Sequence, residues 1–126
     1  MGHRPLIAVI DDDASARGAA RSLIGSLGFA AVAFDSAEAF LASPIVNDVA
    51  CLLVDLRMTH MTGNTPDLRS TAAGRTIPMI VTTRLMHATT RRWTRQAGIV
   101  ACLEKPLEPE SLTQALVAAL GTAGAP

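Results

Sequence analysis

The chain has 126 residues, 49% of them hydrophobic, and its 11 basic side chains balance 11 acidic ones. That length holds one domain with an ordinary core, the composition excludes a disordered chain, and the even charge argues against direct nucleic-acid binding, which normally needs a basic domain. Cys51 and Cys102 lie in apolar runs and read as free thiols in a reducing compartment; with no charged-then-apolar leader and no apolar run of about 18 residues, a cytoplasmic location without membrane contact is expected.

Met1 to Pro5 is a lead-in. Leu6 to Ile10 is an apolar run of strand length that stops at Asp11-Asp12-Asp13. A helix follows over Ala14–Leu27, with Asp13 as N-cap, Gly28 as the stop, and Ala16, Ala20, Leu23, Ile24 and Leu27 on one stripe. Phe29–Phe34 is the second strand. Asp35-Ser36-Ala37-Glu38 has the form of a capping box before a short helix that ends at Ala42 and is closed by Pro44. The third strand, Ala50–Val54, is apolar throughout and meets Asp55 at its end, as suits a strand buried on both faces. A loop from Leu56 to Gly63 leads to a third helix over Asn64–Ala73. Pro78 opens the fourth strand, Met79–Thr83. A fourth helix over Met86–Ala97 stops at Gly98, Ile99–Leu103 is the fifth strand, and Pro109 starts a last helix that ends near Leu120. Residues 1–120 form the domain, and Gly121–Pro126 is a small, uncharged tail or the start of a linker.

Five strands alternating with five helices predict an α/β fold: a doubly wound, five-stranded parallel sheet in a flavodoxin-like three-layer sandwich. In such a sheet the ligand crevice lies outside the carboxyl ends of the strands. Asp11 and Asp12, Asp55, Thr82 and Thr83, and Lys105-Pro106 all fall at such ends. Carboxylates gathered there raise one another's pKa unless a cation holds them. Ten of the eleven basic residues are arginine, and the one lysine is Lys105, a compact charge suited to meeting an anion.

Taken together, Ile10-Asp11-Asp12-Asp13, Leu53-Val54-Asp55-Leu56-Arg57-Met58, Thr83 and Glu104-Lys105-Pro106 resemble the receiver domain of two-component response regulators, in its FixJ-like branch. Asp55 stands 28 positions before Thr83, and Thr83 stands 22 before Lys105. The resemblance spans about Leu6 to Leu120 and implies strand order 2-1-3-4-5. It also implies that a histidine kinase phosphorylates Asp55 with Mg²⁺ as cofactor. By the same likeness Asp12, Asp55 and the Arg57 backbone carbonyl would hold the metal, with Asp11 in the outer part of the site. Lys105 would neutralise a phosphoryl oxygen, Thr83 would bond another, and the Lys105-Pro106 peptide would be cis. The partners implied are the kinase, an output domain or protein target, and a second copy meeting the face made by the fourth helix, fifth strand and last helix.

Four departures concentrate on that signalling face. Thr59-His60 replaces the usual Pro-Gly, Arg84 follows Thr83 where a small residue is usual, and Cys102 stands where the family places an aromatic ring. The fourth helix carries Arg92 and Arg95 at positions that normally face the core, so Met86, Thr90, Trp93 and Ala97 form its best inward stripe. Arg84 could obstruct the site or pair with phosphate. The metal and nucleophile side keeps the family pattern. An alternative reading is a pseudo-receiver that acts as a phosphorylation-independent interaction module. A small phosphatase using Asp55 lacks a visible general acid. His3, His60 and His87 lack zinc spacing with the cysteines.

Overall fold

The predicted alternation closes into a parallel sheet covered on both faces. The structure, a computed structural model, describes residues 4–59 and 76–124. The strands are β1 (Leu6–Ile10), β2 (Ala30–Phe34), β3 (Cys51–Asp55), β4 (Met79–Thr83) and β5 (Ala101–Glu104). They lie in the order β2-β1-β3-β4-β5, with every neighbouring pair parallel. The α-helices are α1 (Ala14–Ser26), α2 (Ala37–Ala42), α3 (Ala88–Gln96) and α4 (Pro109–Gly124), joined by short 3-10 helices at Pro44–Asp48 and Leu56–Met58.

Alternation along each central strand splits the core in two. Ala8, Ile10, Leu52, Val54 and Val81 face a cluster closed by Phe40 of α2 and by Trp93 of α3. Ile7, Val9, Cys51, Leu53 and Ile80 face the opposite cluster, closed by Ile24 of α1 and by Leu112 and Leu116 of α4. Phe34 and Phe40 add an edge-to-face ring pair with centroids 5.5 Å apart. Cys51 is a free thiol whose pKa burial pushes up to about 12, and Cys102 is free and half-buried.

Several expectations need correction. Five helices were expected, and the described residues hold four α-helices. The expected helix over Asn64–Ala73 falls outside the described residues. That expectation rests on strand–helix alternation and on Pro66 near its start, for Leu68 is the one large apolar side chain in that stretch. β3 extends through Asp55, because that residue still pairs with Thr82 of β4. β2 and β5 begin one and two residues later than expected, and α4 continues four residues past Leu120. α3 begins at Ala88, after an N-cap residue, His87, that makes no side-chain capping bond.

The capping box is also displaced. Ser36, not Asp35, is the N-cap of α2, and its hydroxyl accepts from the Ala39 N–H at 3.0 Å. Glu38 therefore sits at the second helical position, too early to close the reciprocal bond of a box. Ser36→Ala is expected to cost about 1 kcal/mol in urea denaturation. Glu38→Ala should stay within about 0.5 kcal/mol.

The inward stripe expected for the fourth helix is observed in α3. Thr90 is buried, Met86, Trp93 and Ala97 are half-buried, and Arg91, Arg92 and Arg95 are exposed. Thr94 is buried as well, and its hydroxyl donates to the Arg91 carbonyl at 2.9 Å. A polar residue can thus pack inward in this helix, because the Thr94 hydroxyl bonds the helix's own backbone.

Candidate site at the carboxyl edge of the sheet

Sheet register brings the predicted residues to one edge. Ile10 pairs with both Phe34 and Val54, Asp55 pairs with Thr82, and Thr83 pairs with Glu104. Backbone bonds carry the ladder one step further. The Asp11 N–H donates to the Phe34 carbonyl at 3.2 Å, and the Lys105 N–H donates to the Thr83 carbonyl at 2.7 Å. Asp11, Asp55 and Lys105 are therefore held by the sheet itself, and the Lys105-Pro106 peptide is cis.

The side chains meet as the charges require. Lys105 Nζ donates to Asp11 Oδ2 at 2.7 Å and to Asp55 Oδ1 at 2.9 Å. Asp55 is 4% exposed, and the Lys105 side chain 16%. Asp11 Oδ1 accepts from the Asp13 N–H at 3.0 Å, which fixes the turn into α1. Asp13 in turn caps α1 by accepting from the Ser15 N–H.

Arg57 supplies a second cation. Its Nε donates to Asp55 Oδ2 at 2.9 Å and its Nη2 to Asp12 Oδ1 at 3.0 Å, so one guanidinium bridges two carboxylates. The Arg57 N–H also donates to Asp55 Oδ2, at 3.2 Å, which makes Asp55 the N-cap of the following 3-10 helix. The sequence reading assigned Arg57 only a backbone carbonyl. The missed signal was in the charges: Lys105 meets Asp11 and Asp55, and Asp12 takes its cation from Arg57.

Burial raises the pKa of Asp55, but hydrogen bonds and charge from Lys105 and Arg57 outweigh it and hold the carboxyl below its ordinary value. Burial likewise works to lower Lys105, and the hydrogen bonds it donates to Asp11 and Asp55 reverse it, leaving the ammonium above the usual lysine value. The bond to Asp55 is the main cause that raises Arg57.

Thr83 is buried at the same edge. Its hydroxyl donates to the Leu85 carbonyl at 3.1 Å and accepts from the Leu85 N–H at 3.4 Å, closing its own turn. Arg84 leans toward Asp13, 3.7 Å away, and is mostly exposed, a pairing worth little. Asp55, Arg57, Thr83 and Arg84 line a cavity of about 360 Å³. A larger one, about 710 Å³, lies behind Asp11 and Lys105, against α1. Cys102 packs against the Phe40 cluster with no ring in its place. His3 and His60 lie outside the described residues, and His87 is exposed.

Among the described residues, no three His, Cys, Asp or Glu side chains are grouped to hold a metal. Mg²⁺ does not require such a cage. It binds through one or two carboxylates and keeps several waters. Asp12, with its side chain 53% exposed, and Asp55 offer hard oxygen donors at an open rim, so the donor set fits that ion.

Comparison with known proteins agrees with this geometry. The family model for the response regulator receiver domain matches residues 7–117. The transcriptional regulatory protein FixJ of Bradyrhizobium diazoefficiens is 32% identical over 114 residues, covering 90% of this chain and 56% of that protein. The response regulator protein TodT of Pseudomonas putida is 31% identical over 115 residues, covering 91% of this chain and 51% of that protein. The chain thus spans about half the length of the curated relatives it matches. Among solved structures, a response regulator receiver protein from Burkholderia phymatum superposes with TM-score 0.76 at 32% identity, covering 94% of this chain and 96% of that one. The structure of FixJ-N gives 0.74 at 30% identity, covering 94% and 95%. No helix among the described residues is long and apolar enough to cross a membrane. The chain belongs to the response regulator receiver domain family, in its FixJ-like branch, whose members are signalling modules of two-component systems rather than enzymes.

Proposed function

We propose that this receiver takes a phosphoryl group from the phosphohistidine of a partner kinase onto Asp55, in a Mg²⁺-dependent reaction. The observation that carries the proposal is the Asp55 carboxylate: buried, kept ionised by Lys105 and Arg57, and open to the 360 Å³ cavity. An Asp55 oxygen attacks phosphorus, the phosphorus–nitrogen bond breaks, and the imidazole keeps the electron pair. Lys105 neutralises a phosphoryl oxygen, while Asp11 holds the ammonium in place. Thr83 turns its hydroxyl from the Leu85 carbonyl to a second oxygen. Asp12, Asp55 and the Arg57 backbone carbonyl would hold Mg²⁺, which supplies charge neutralisation for the transferring group.

The readout differs from the family's aromatic switch, since Cys102 has no ring to swing inward. Movement of the Thr83 turn would instead reach Arg84, Leu85 and α3. An output domain or protein target is the proposed reader. A second copy is a further candidate partner, because α3 presents Arg91, Arg92 and Arg95 while Glu104, Glu108 and Glu110 lie exposed on β5 and around the start of α4.

Incubation with Mg²⁺ and acetyl phosphate, followed by intact-protein mass spectrometry, tests the reading. The expected result is a gain of one phosphoryl group, abolished by EDTA and mapped to Asp55 by borohydride reduction and peptide analysis. No gain at saturating Mg²⁺ overturns it in favour of an interaction module that works without phosphate.

A further inference from the structure

We infer that Arg57 is an internal counter-ion that occupies the divalent-cation position and must be displaced before metal can bind. This rests on the proposal that Asp12 and Asp55 hold Mg²⁺. The guanidinium spans the same two carboxylates, with Nε 2.9 Å from Asp55 Oδ2 and Nη2 3.0 Å from Asp12 Oδ1. A Mg²⁺ ion needs those oxygens at about 2.0–2.1 Å in near-octahedral array. Two cations cannot share the gap, so the ion and the guanidinium exclude one another.

The energetics make the exchange feasible. Asp55 is buried, but the Arg57 side chain is 61% exposed, so a displaced guanidinium regains water with no rearrangement of the core. Lys105 stays on the other Asp55 oxygen and is not part of the competition. With Arg57 in place, the carboxylates of Asp11, Asp12 and Asp55 face two single positive charges. Replacing the guanidinium by a divalent ion raises the positive charge at the rim, which favours an incoming phosphoryl dianion. Arg57 thus offsets the repulsion between Asp12 and Asp55 when no metal is bound, and it weakens metal affinity as a consequence.

Calorimetric Mg²⁺ titration, with Mn²⁺ binding followed by electron paramagnetic resonance, tests the inference on the unphosphorylated protein. Arg57→Ala should bind both ions about two- to fivefold more tightly than wild type. Arg57→Lys keeps the charge but cannot span both carboxylates, so its affinity should fall between the two. Metal binding by wild type with no gain in Arg57→Ala overturns the inference and leaves the metal reading standing. Weaker binding in Arg57→Ala overturns it too, since the side chain would then assist the ion. Absence of binding by wild type and both variants overturns the metal reading and the inference with it.

Discussion

Asp55→Asn is expected to take up no phosphoryl group under conditions that label the wild type fully, while folding normally. The amide oxygen has no ionised form to attack phosphorus, so the loss is complete rather than partial. The fold should tolerate the change for local reasons. Asparagine caps a helix as well as aspartate does, so the bond from the Arg57 N–H is kept. Lys105 retains Asp11 at 2.7 Å, and one of two closely spaced carboxylates is removed. Urea denaturation should therefore move by no more than about 1 kcal/mol, and intact mass should stay at the unmodified value. Labelling that persists in Asp55→Asn would place the acceptor elsewhere and refute the assignment.

What sequence could reveal follows from which interactions are local. Buried parallel strands are continuous apolar runs, so Leu6–Ile10, Cys51–Val54 and Met79–Val81 were readable, as was the acid or hydroxyl that ends each one. Parallel order then brings those ends together with no further information. The length of α4 was harder to read, since Gly121 looks like a stop and the helix passes it to end at Gly124. The α2 cap was misplaced by one residue because Asp35 and Ser36 are both good caps, and only the backbone decides between them. Arg57 was the main omission. Motif logic treats the second residue after the acceptor as a backbone ligand, whereas its side chain reaches 45 positions back to Asp12. Long, exposed side chains have many partners within reach, and spacing alone does not choose among them.

Lys105→Ala is expected to be the most destabilising change at this edge, costing roughly 3 kcal/mol near neutral pH. Among the described residues no other cation pairs with the Asp11 carboxylate, since Arg17 bonds its backbone carbonyl; that carboxylate would keep only the Asp13 N–H, and Asp55 would keep only Arg57. The dependence on pH carries the argument. In the wild type Asp55 is held below its ordinary value, so its stabilisation is present above about pH 4 and is lost as pH falls through the depressed folded value. Lys105 is held above its ordinary value, so its share is complete below about pH 10.4 and is lost as pH rises through the raised folded value. Without the ammonium, burial is opposed at Asp55 by Arg57 alone and favours its protonated form, so the variant should lose less stability than the wild type on acidification. Urea denaturation from pH 3 to pH 9 should show the gap between the two proteins widest near neutrality and closing toward pH 3. Adding Asp11→Asn to Lys105→Ala should recover at least about 1 kcal/mol, because it removes the charge left without a partner. A gap that stays constant with pH, or a double variant no more stable than the single one, would mean that Lys105 acts through packing rather than charge.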